Sequence, residues 1–305
     1  MFYATSPEWT ADCDALVGDF LLRFEPQGLR PDNFALVALQ EQGQGTAPLG
    51  YAHRGDWRCY PCSLVKSFHL VHVLHAIDQG RVHDHPELSR AMRDMILWSS
   101  NTGTNYVIDV LTETTGDTLL EGAEFEAWRA KRERLNGFFL DLGWPEFAGC
   151  NITQKLMDDR RYGREAQYAG PTSDYLNALI PLAPARLMHE IFAGDLPLSE
   201  AARARAQAIL ERDRESAEAK MPHFQVDTYL GGGVPAEGRI WSKAGKNSWT
   251  GDPRASYFKH DSIRIAMPGK KPVIISLMTQ GKGLCEDHPE VFPQMGAMIV
   301  ERLMA

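Results

Sequence analysis

The sequence predicts a mixed α/β (α+β) fold: one sheet built from strands near both ends of the chain, a helical insertion between them, and a helix at each terminus. Three observations carry this expectation. Strand-like segments occur early and again in the last 80 residues. Between them, apolar residues recur at helical intervals. Helical stripes also open and close the chain.

Residues 8–24 place Trp9, Cys13, Leu16, Val17, Phe20, Leu21 and Phe24 on one helical stripe. Residues 34–39 and 49–52 are strand-like runs separated by Gly43 and Gly45, the pattern of a hairpin. Residues 63–80 predict a helix, apolar at Leu70, Val73, Leu74 and Ile77, with Gly80 at its end. Helices follow over 86–97, 101–111 and 121–142, the last with charge on one side and Phe138, Phe139 and Leu142 on the other. Helices over 176–192 and 199–210 complete the middle section. Strands return at 239–243, 262–267 and 273–279, and residues 289–304 form a terminal helix. The expected division is a sheet part, residues 1–60 and 222–305, and a helical part, residues 61–221, with an active site at their interface.

At 305 residues, 44% hydrophobic and 24% charged, the composition is that of a globular protein with a full core. A net charge of −8 and the absence of basic runs argue against a nucleic-acid surface. No run of about 18 apolar residues is present, so no membrane span is expected. The N-terminus lacks a positive segment followed by an apolar one, which points to the cytoplasm; a periplasmic protein already trimmed of its leader would begin the same way. Five cysteines (Cys13, Cys59, Cys62, Cys150, Cys285) form no metal-spaced pair, an odd and sparse count that suits reduced thiols.

The stretch around Tyr60-Pro61-Cys62-Ser63-Leu64-Val65-Lys66 carries the first chemical signal. A serine and a lysine three apart share one helix face, so the amine reaches the hydroxyl. A partly buried lysine with a lowered pKa can then act as its base. Two further stretches follow in order, Ser99-Ser100-Asn101 and Lys243-Ala244-Gly245-Lys246. Singly, Ser63, Ser99 and Asn101 also read as helix caps and Lys243 as a solvated strand residue. The ordered set Ser-x-x-Lys, Ser-x-Asn, Lys-x-Gly resembles the penicillin-recognising serine hydrolases, the superfamily of class A β-lactamases and D,D-peptidases. Tyr60-Pro61-Cys62-Ser63 is similar to the aromatic–Pro–x–Cys–Ser approach of class A enzymes, and Asn101-Thr102 with Asn105 repeats their Asn-Thr-x-x-Asn run. The resemblance spans nearly the whole chain. It implies the β-lactamase-like fold, an antiparallel sheet flanked by N- and C-terminal helices with an inserted all-α subdomain.

The same resemblance implies roles. Ser63 is the acylating nucleophile and Lys66 its base or proton relay. Ser99 hands a proton to the leaving nitrogen, and Lys243 supplies positive charge beside it. Asn101, Ala244, Gly245 and Lys246 belong to substrate binding, with the backbone N–H groups of Ser63 and Lys246 as the oxyanion hole. Departures are equally visible. Ala244 stands where the family has Thr or Ser, whose hydroxyl helps hold a substrate carboxylate. The 36-residue spacing from Ser63 to Ser99 is shorter than in class A enzymes. The Glu-x-x-x-Asn of the class A Ω-loop has no match; Glu146 precedes Asn151 one residue too far, and Asp158, Asp159 and Glu165 lie nearer the expected place.

His69, His72 and His75 recur every third residue, with His83 and His85 close behind. Zinc helices favour ligands at i and i+4, and a three-residue spacing fans the rings around the helix. They read as core or surface histidines, and no metal or cofactor is expected. Trp98, Trp241 and Trp249 flank the motifs.

The expected function is therefore a serine hydrolase forming an acyl-enzyme on Ser63, acting on a small-molecule amide, peptide, β-lactam or ester. A cytoplasmic amidase or peptidase is favoured over a resistance enzyme. The alternative is a β-lactamase-like binding protein that acylates or binds ligand without efficient turnover, which Ala244 and the missing Glu favour and the intact Ser63, Lys66, Ser99 and Lys243 oppose. Nothing in the sequence specifies an oligomeric state.

Overall fold

The computed structural model describes residues 2–157, 161–221 and 223–305. Extended Ser6 caps helix α1 (Pro7–Phe24), accepting from the Trp9 N–H, and Pro7 occupies the first helical position, where its missing N–H costs nothing. The buried stripe of α1 is Trp9, Cys13, Leu16, Val17, Phe20 and Phe24.

Five strands form one antiparallel sheet in the order β2-β1-β5-β4-β3. They are β1 (Phe34–Gln40), β2 (Leu49–His53), β3 (Arg239–Lys246), β4 (Phe258–Ala266) and β5 (Val273–Gln280). The two ends of the chain meet where β1 pairs with β5, from Phe34 opposite Thr279 to Gln40 opposite Val273. Both faces of this sheet are covered. Val37, Leu39, Ile274 and Met278 join a core shared with the inserted helices. Leu36, Ala38, Ile275 and Leu277 join a second core beneath α1 and the C-terminal helix (Val291–Leu303). Burial on both faces explains why β1 reads as an unbroken apolar run rather than an alternation.

The insertion supplies α2 (Val65–Asp78), α3 (Pro86–Leu97), α4 (Asn101–Thr112), α5 (Gly122–Asp141), α6 (Gly163–Ala169), α7 (Leu182–Phe192) and α8 (Glu200–Leu210); the terminal helix is α9. The predicted β-lactamase-like architecture is present, with local differences. The helix expected over 176–192 begins only at Leu182; residues 176–180 are not helical, Ala178 and Leu179 bridge Asn151 and Cys59, and Pro181 turns the chain into the helix. Pro181 disfavours helix at Ile180, whereas Pro184 falls in the first turn and is tolerated. Strand β4 starts four residues earlier than the expected 262, because Lys259, His260 and Asp261 are buried despite their polarity. Ser63 sits in a 3₁₀ turn, Cys62–Leu64, just ahead of α2 rather than inside it.

His69 lies wholly inside the helical core, and neither ring nitrogen is hydrogen-bonded among the described residues. Burial, followed by the neighbouring His72, Lys66 and Arg132, pushes it down to about 3 from 6.5. The unfolded chain therefore binds more protons than the native one between those values, and stability falls as pH drops through that window. Urea midpoints are expected to decline from pH 7 to pH 5, and to decline less in His69→Leu. Equal declines in the two proteins would show that His69 is not a source of the acid sensitivity.

Candidate active site

The chain reaches Ser63 through Tyr60 and Pro61, and β4 pins that approach. The Nε2–H of His260 donates to the Tyr60 carbonyl at 2.9 Å, while its Nδ1 accepts from the Thr279 N–H at 3.2 Å. These partners fix the tautomer, and burial pushes His260 down to about 4, keeping it neutral. Cys62, the next residue before Ser63, holds a left-handed backbone with φ 48°, and Ser99 does the same with φ 56°. Such non-glycine conformations cost about 1–3 kcal/mol each and persist only where the surroundings enforce them.

Ser99 lies in the middle of the α3–α4 connection, and two lysines converge on its hydroxyl. Lys66 Nζ lies 3.1 Å and Lys243 Nζ 3.0 Å from Ser99 Oγ. Lys66 also donates to Ser99 O at 2.5 Å and to Asn101 Oδ1 at 2.8 Å. Lys243 donates to Gln225 Oε1 at 3.0 Å and to Ala244 O at 2.5 Å. Both side chains are fully buried. Burial first, then the charges of Lys66 and Arg212, holds Lys243 well below the usual lysine range. The structure thus brings together Lys66, Ser99, Asn101 and Lys243, drawn from α2, the α3–α4 connection, the start of α4 and β3.

β3 is the edge strand on this side of the sheet. Asn247 N donates to Phe258 O of β4, so the antiparallel alternation turns the N–H and C=O of Lys246, Ala244, Ser242 and Ile240 to the free edge. Ile240 O and Ser242 O confirm that direction by accepting from Arg212 rather than from β4. The Lys246 N–H therefore faces the free edge of the sheet. The close approach is made at Gly245, where a Cβ would stand 2.6 Å from Ser63 N and 3.0 Å from Cys62 Cβ. Gly245→Ala is expected to displace Ser63 and slow its covalent labelling by at least about a hundredfold, the cost of roughly ångström-scale misplacement. Labelling at the wild-type rate would show that Ser63 need not touch β3. Ala244 turns its methyl group into the core beneath α1 and α9, so its side chain contributes nothing to the cleft.

Two contributors carried no sequence signal. Gln225 reaches Lys243 from a loop, with φ 60°. Arg212, fully buried after α8, donates to Ile96 O and Leu97 O at the end of α3 and to Ser242 O and Oγ on β3. It satisfies orphan carbonyls of α3 and locks that helix end to the strand bearing Lys243.

Two of the acidic candidates near the expected Ω-loop, Glu146 and Glu165, are committed elsewhere. Glu146 accepts from Arg186 at 2.5 Å. Glu165 forms a buried two-bond pair with Arg132, at 2.8 and 3.1 Å. Asp158 and Asp159 lie outside the described residues. Asn105 holds the connecting loop, donating to Leu156 O at 2.9 Å and accepting from Leu156 N at 3.1 Å. Of the histidines, His72 stacks on Phe138 and His75 bonds Pro197 O.

A family model described as the β-lactamase enzyme family matches residues 81–303. The chain belongs to this family. It is a serine hydrolase of the β-lactamase-like class. The matched stretch contains Ser99, Asn101 and Lys243 and begins after Ser63 and Lys66, whose placement rests on the geometry above. Solved structures agree on the fold. A β-lactamase from Xanthomonas campestris superposes with a TM-score of 0.64 at 15% identity, covering 96% of this chain and 98% of that one. One from Burkholderia vietnamiensis gives 0.61 at 17% identity, covering 94% and 95%. The class A β-lactamase of the last common ancestor of Gram-negative bacteria gives 0.59 at 19% identity, covering 95% and 99%. A comparison with curated proteins finds no sequence match. Among the described residues, no helix is long and apolar enough to cross a membrane.

Proposed function

We propose that this β-lactamase-family hydrolase forms an acyl-enzyme on Ser63 and cleaves a small amide, peptide, β-lactam or ester. The observation that carries the reading is the Ser99 hydroxyl held between Lys66 Nζ and Lys243 Nζ, with Lys66 three residues beyond Ser63 on the same chain turn. In this scheme Ser63 Oγ attacks the carbonyl carbon and its proton passes to Lys66. The oxyanion lies between the N–H of Ser63, near the start of the helical segment, and that of Lys246 on the free edge of β3. The proton then reaches the leaving atom through Ser99 as the bond to the acyl carbon breaks, and Lys243 stabilises the negative charge that passes. Asn101 orients Lys66 and the substrate amide, while Gly245 lets the strand approach Ser63. Water later takes the acyl group from Ser63. The cleft falls between a sheet part, residues 1–60 and 222–305, and a helical part, residues 61–221.

A second reading, a protein that acylates and then releases product poorly, is favoured by one observation. Glu146 and Glu165 are each held by an arginine rather than presented to water. The five buried, unpaired cysteines support a reducing, cytoplasmic setting for either reading. Mixing excess chromogenic cephalosporin with the enzyme is expected to give a product burst equal to the enzyme concentration, followed by a slow phase. Neither burst nor turnover with β-lactams, amides or esters would sink the proposal.

A further inference from the structure

About two turns beyond Lys66 on α2, a cavity of about 450 Å³ opens between α2 and α5 beside Pro197. Its size is that of a small-molecule site. The floor is flat and apolar. His72, only 4% exposed, stacks on Phe138 with ring centroids 4.5 Å apart and planes 8° from parallel. Its Nδ1 is buried without a hydrogen-bond partner among the described residues. Burial, then the Arg81 charge, pushes His72 down to about 3, so it offers a neutral ring rather than a cation. His75 is turned by its Nδ1–H bond to Pro197 O at 2.7 Å, with its ring 4.9 Å from Phe138.

Two further features keep the cavity open and give it a sign. Gly137 lies inside α5, where glycine costs roughly 1 kcal/mol relative to alanine, and beyond the helix's own backbone and its chain neighbours no heavy atom of the described residues lies within 4 Å of the position its Cβ would take. Arg81 and Arg134 stand at the cavity and form no salt bridge among the described residues, although, behind Lys131, the Arg134 charge helps hold the exposed Glu113 carboxyl below its usual range. Arg81 makes no hydrogen bond there, and Arg134 donates only to the carbonyls of Lys131 and Thr112. Among the described residues, Asp141 is the one carboxylate of the lining. In a chain of net charge −8, this wall is locally positive.

We infer that the cavity is a second ligand site, separate from the Ser63 cleft, for a small flat organic anion: a carboxylate carried on an apolar ring. The ring lies over Gly137 against the His72–Phe138 stack, and the carboxylate meets Arg81 and Arg134, whose planar guanidiniums match it two bonds at a time.

The test is a ¹⁹F NMR titration of the whole protein with 4-fluorobenzoate, with 4-fluorobenzylamine and inorganic phosphate as comparison ligands. Saturable binding of the benzoate is expected, with the amine and phosphate at least tenfold weaker. The double variant Arg81→Glu/Arg134→Glu and, separately, Gly137→Leu are each expected to weaken benzoate binding at least tenfold. Leucine favours helix, so Gly137→Leu is expected to keep the wild-type thermal midpoint while filling the cavity. No saturable binding, affinity unchanged in both variants, or equal affinity for the amine or for phosphate would overturn the inference.

Discussion

Ser63→Ala is expected to abolish covalent labelling and to lower any hydrolytic rate by about 10⁴-fold or more, the scale seen when a nucleophile acting as part of a unit is removed. The fold is expected to survive. Ser63 is half-buried in a 3₁₀ turn, and the flanking Cys62 and Leu64 supply the buried contacts there. Thermal unfolding of the variant is therefore the control, and its midpoint is expected to lie close to that of the wild type. Retained turnover in a folded Ser63→Ala protein would show that the nucleophile lies elsewhere.

The largest stability effect is expected at the pair joining α5 to α6. Arg132 and Glu165 are both buried and share two hydrogen bonds, and the guanidinium also reaches Thr114 Oγ1 and Thr153 O and lies 4.6 Å over the Trp128 ring. Glu165→Gln removes the counter-ion and leaves a buried positive charge, a loss of about 3–5 kcal/mol. Replacing both residues, as Arg132→Met with Glu165→Leu, is expected to recover part of that loss, because no charge is then stranded. Urea unfolding of the three proteins separates the terms. The same variant distinguishes a structural Glu165 from a catalytic one. A base for the hydrolytic water would leave stability intact and make the acyl-enzyme accumulate, whereas a structural partner lowers stability without lengthening the acyl-enzyme lifetime.

Much of the architecture was legible because burial leaves periodic marks. The α1 stripe and the apolar run of β1 report one-sided and two-sided burial, and the return of strands near the C-terminus implied one sheet shared by both ends of the chain, which the pairing of β1 with β5 provides. The start of β4 was hidden because Lys259, His260 and Asp261 are polar residues buried by tertiary contacts that no local pattern encodes. Residues 176–181 were read as helix because their apolar spacing ignores what Pro181 does to Ile180. At the site, motif order picked out Lys66, Ser99, Asn101 and Lys243, which the fold brings into contact across more than a hundred residues. Arg212 and Gln225 were invisible, since a buried arginine and a left-handed glutamine look like any surface residue until their partners are known. Glu165 drew notice as a loop carboxylate, while its partner Arg132 on α5 did not.

The most direct test of the account is intact-protein mass spectrometry after exposure to a fluorophosphonate and, separately, to a β-lactam panel, followed by peptide mapping. The account predicts one adduct per chain, located on Ser63 and absent from Ser63→Ala. An adduct mapped to another residue, or no adduct from either reagent on the folded protein, would contradict it.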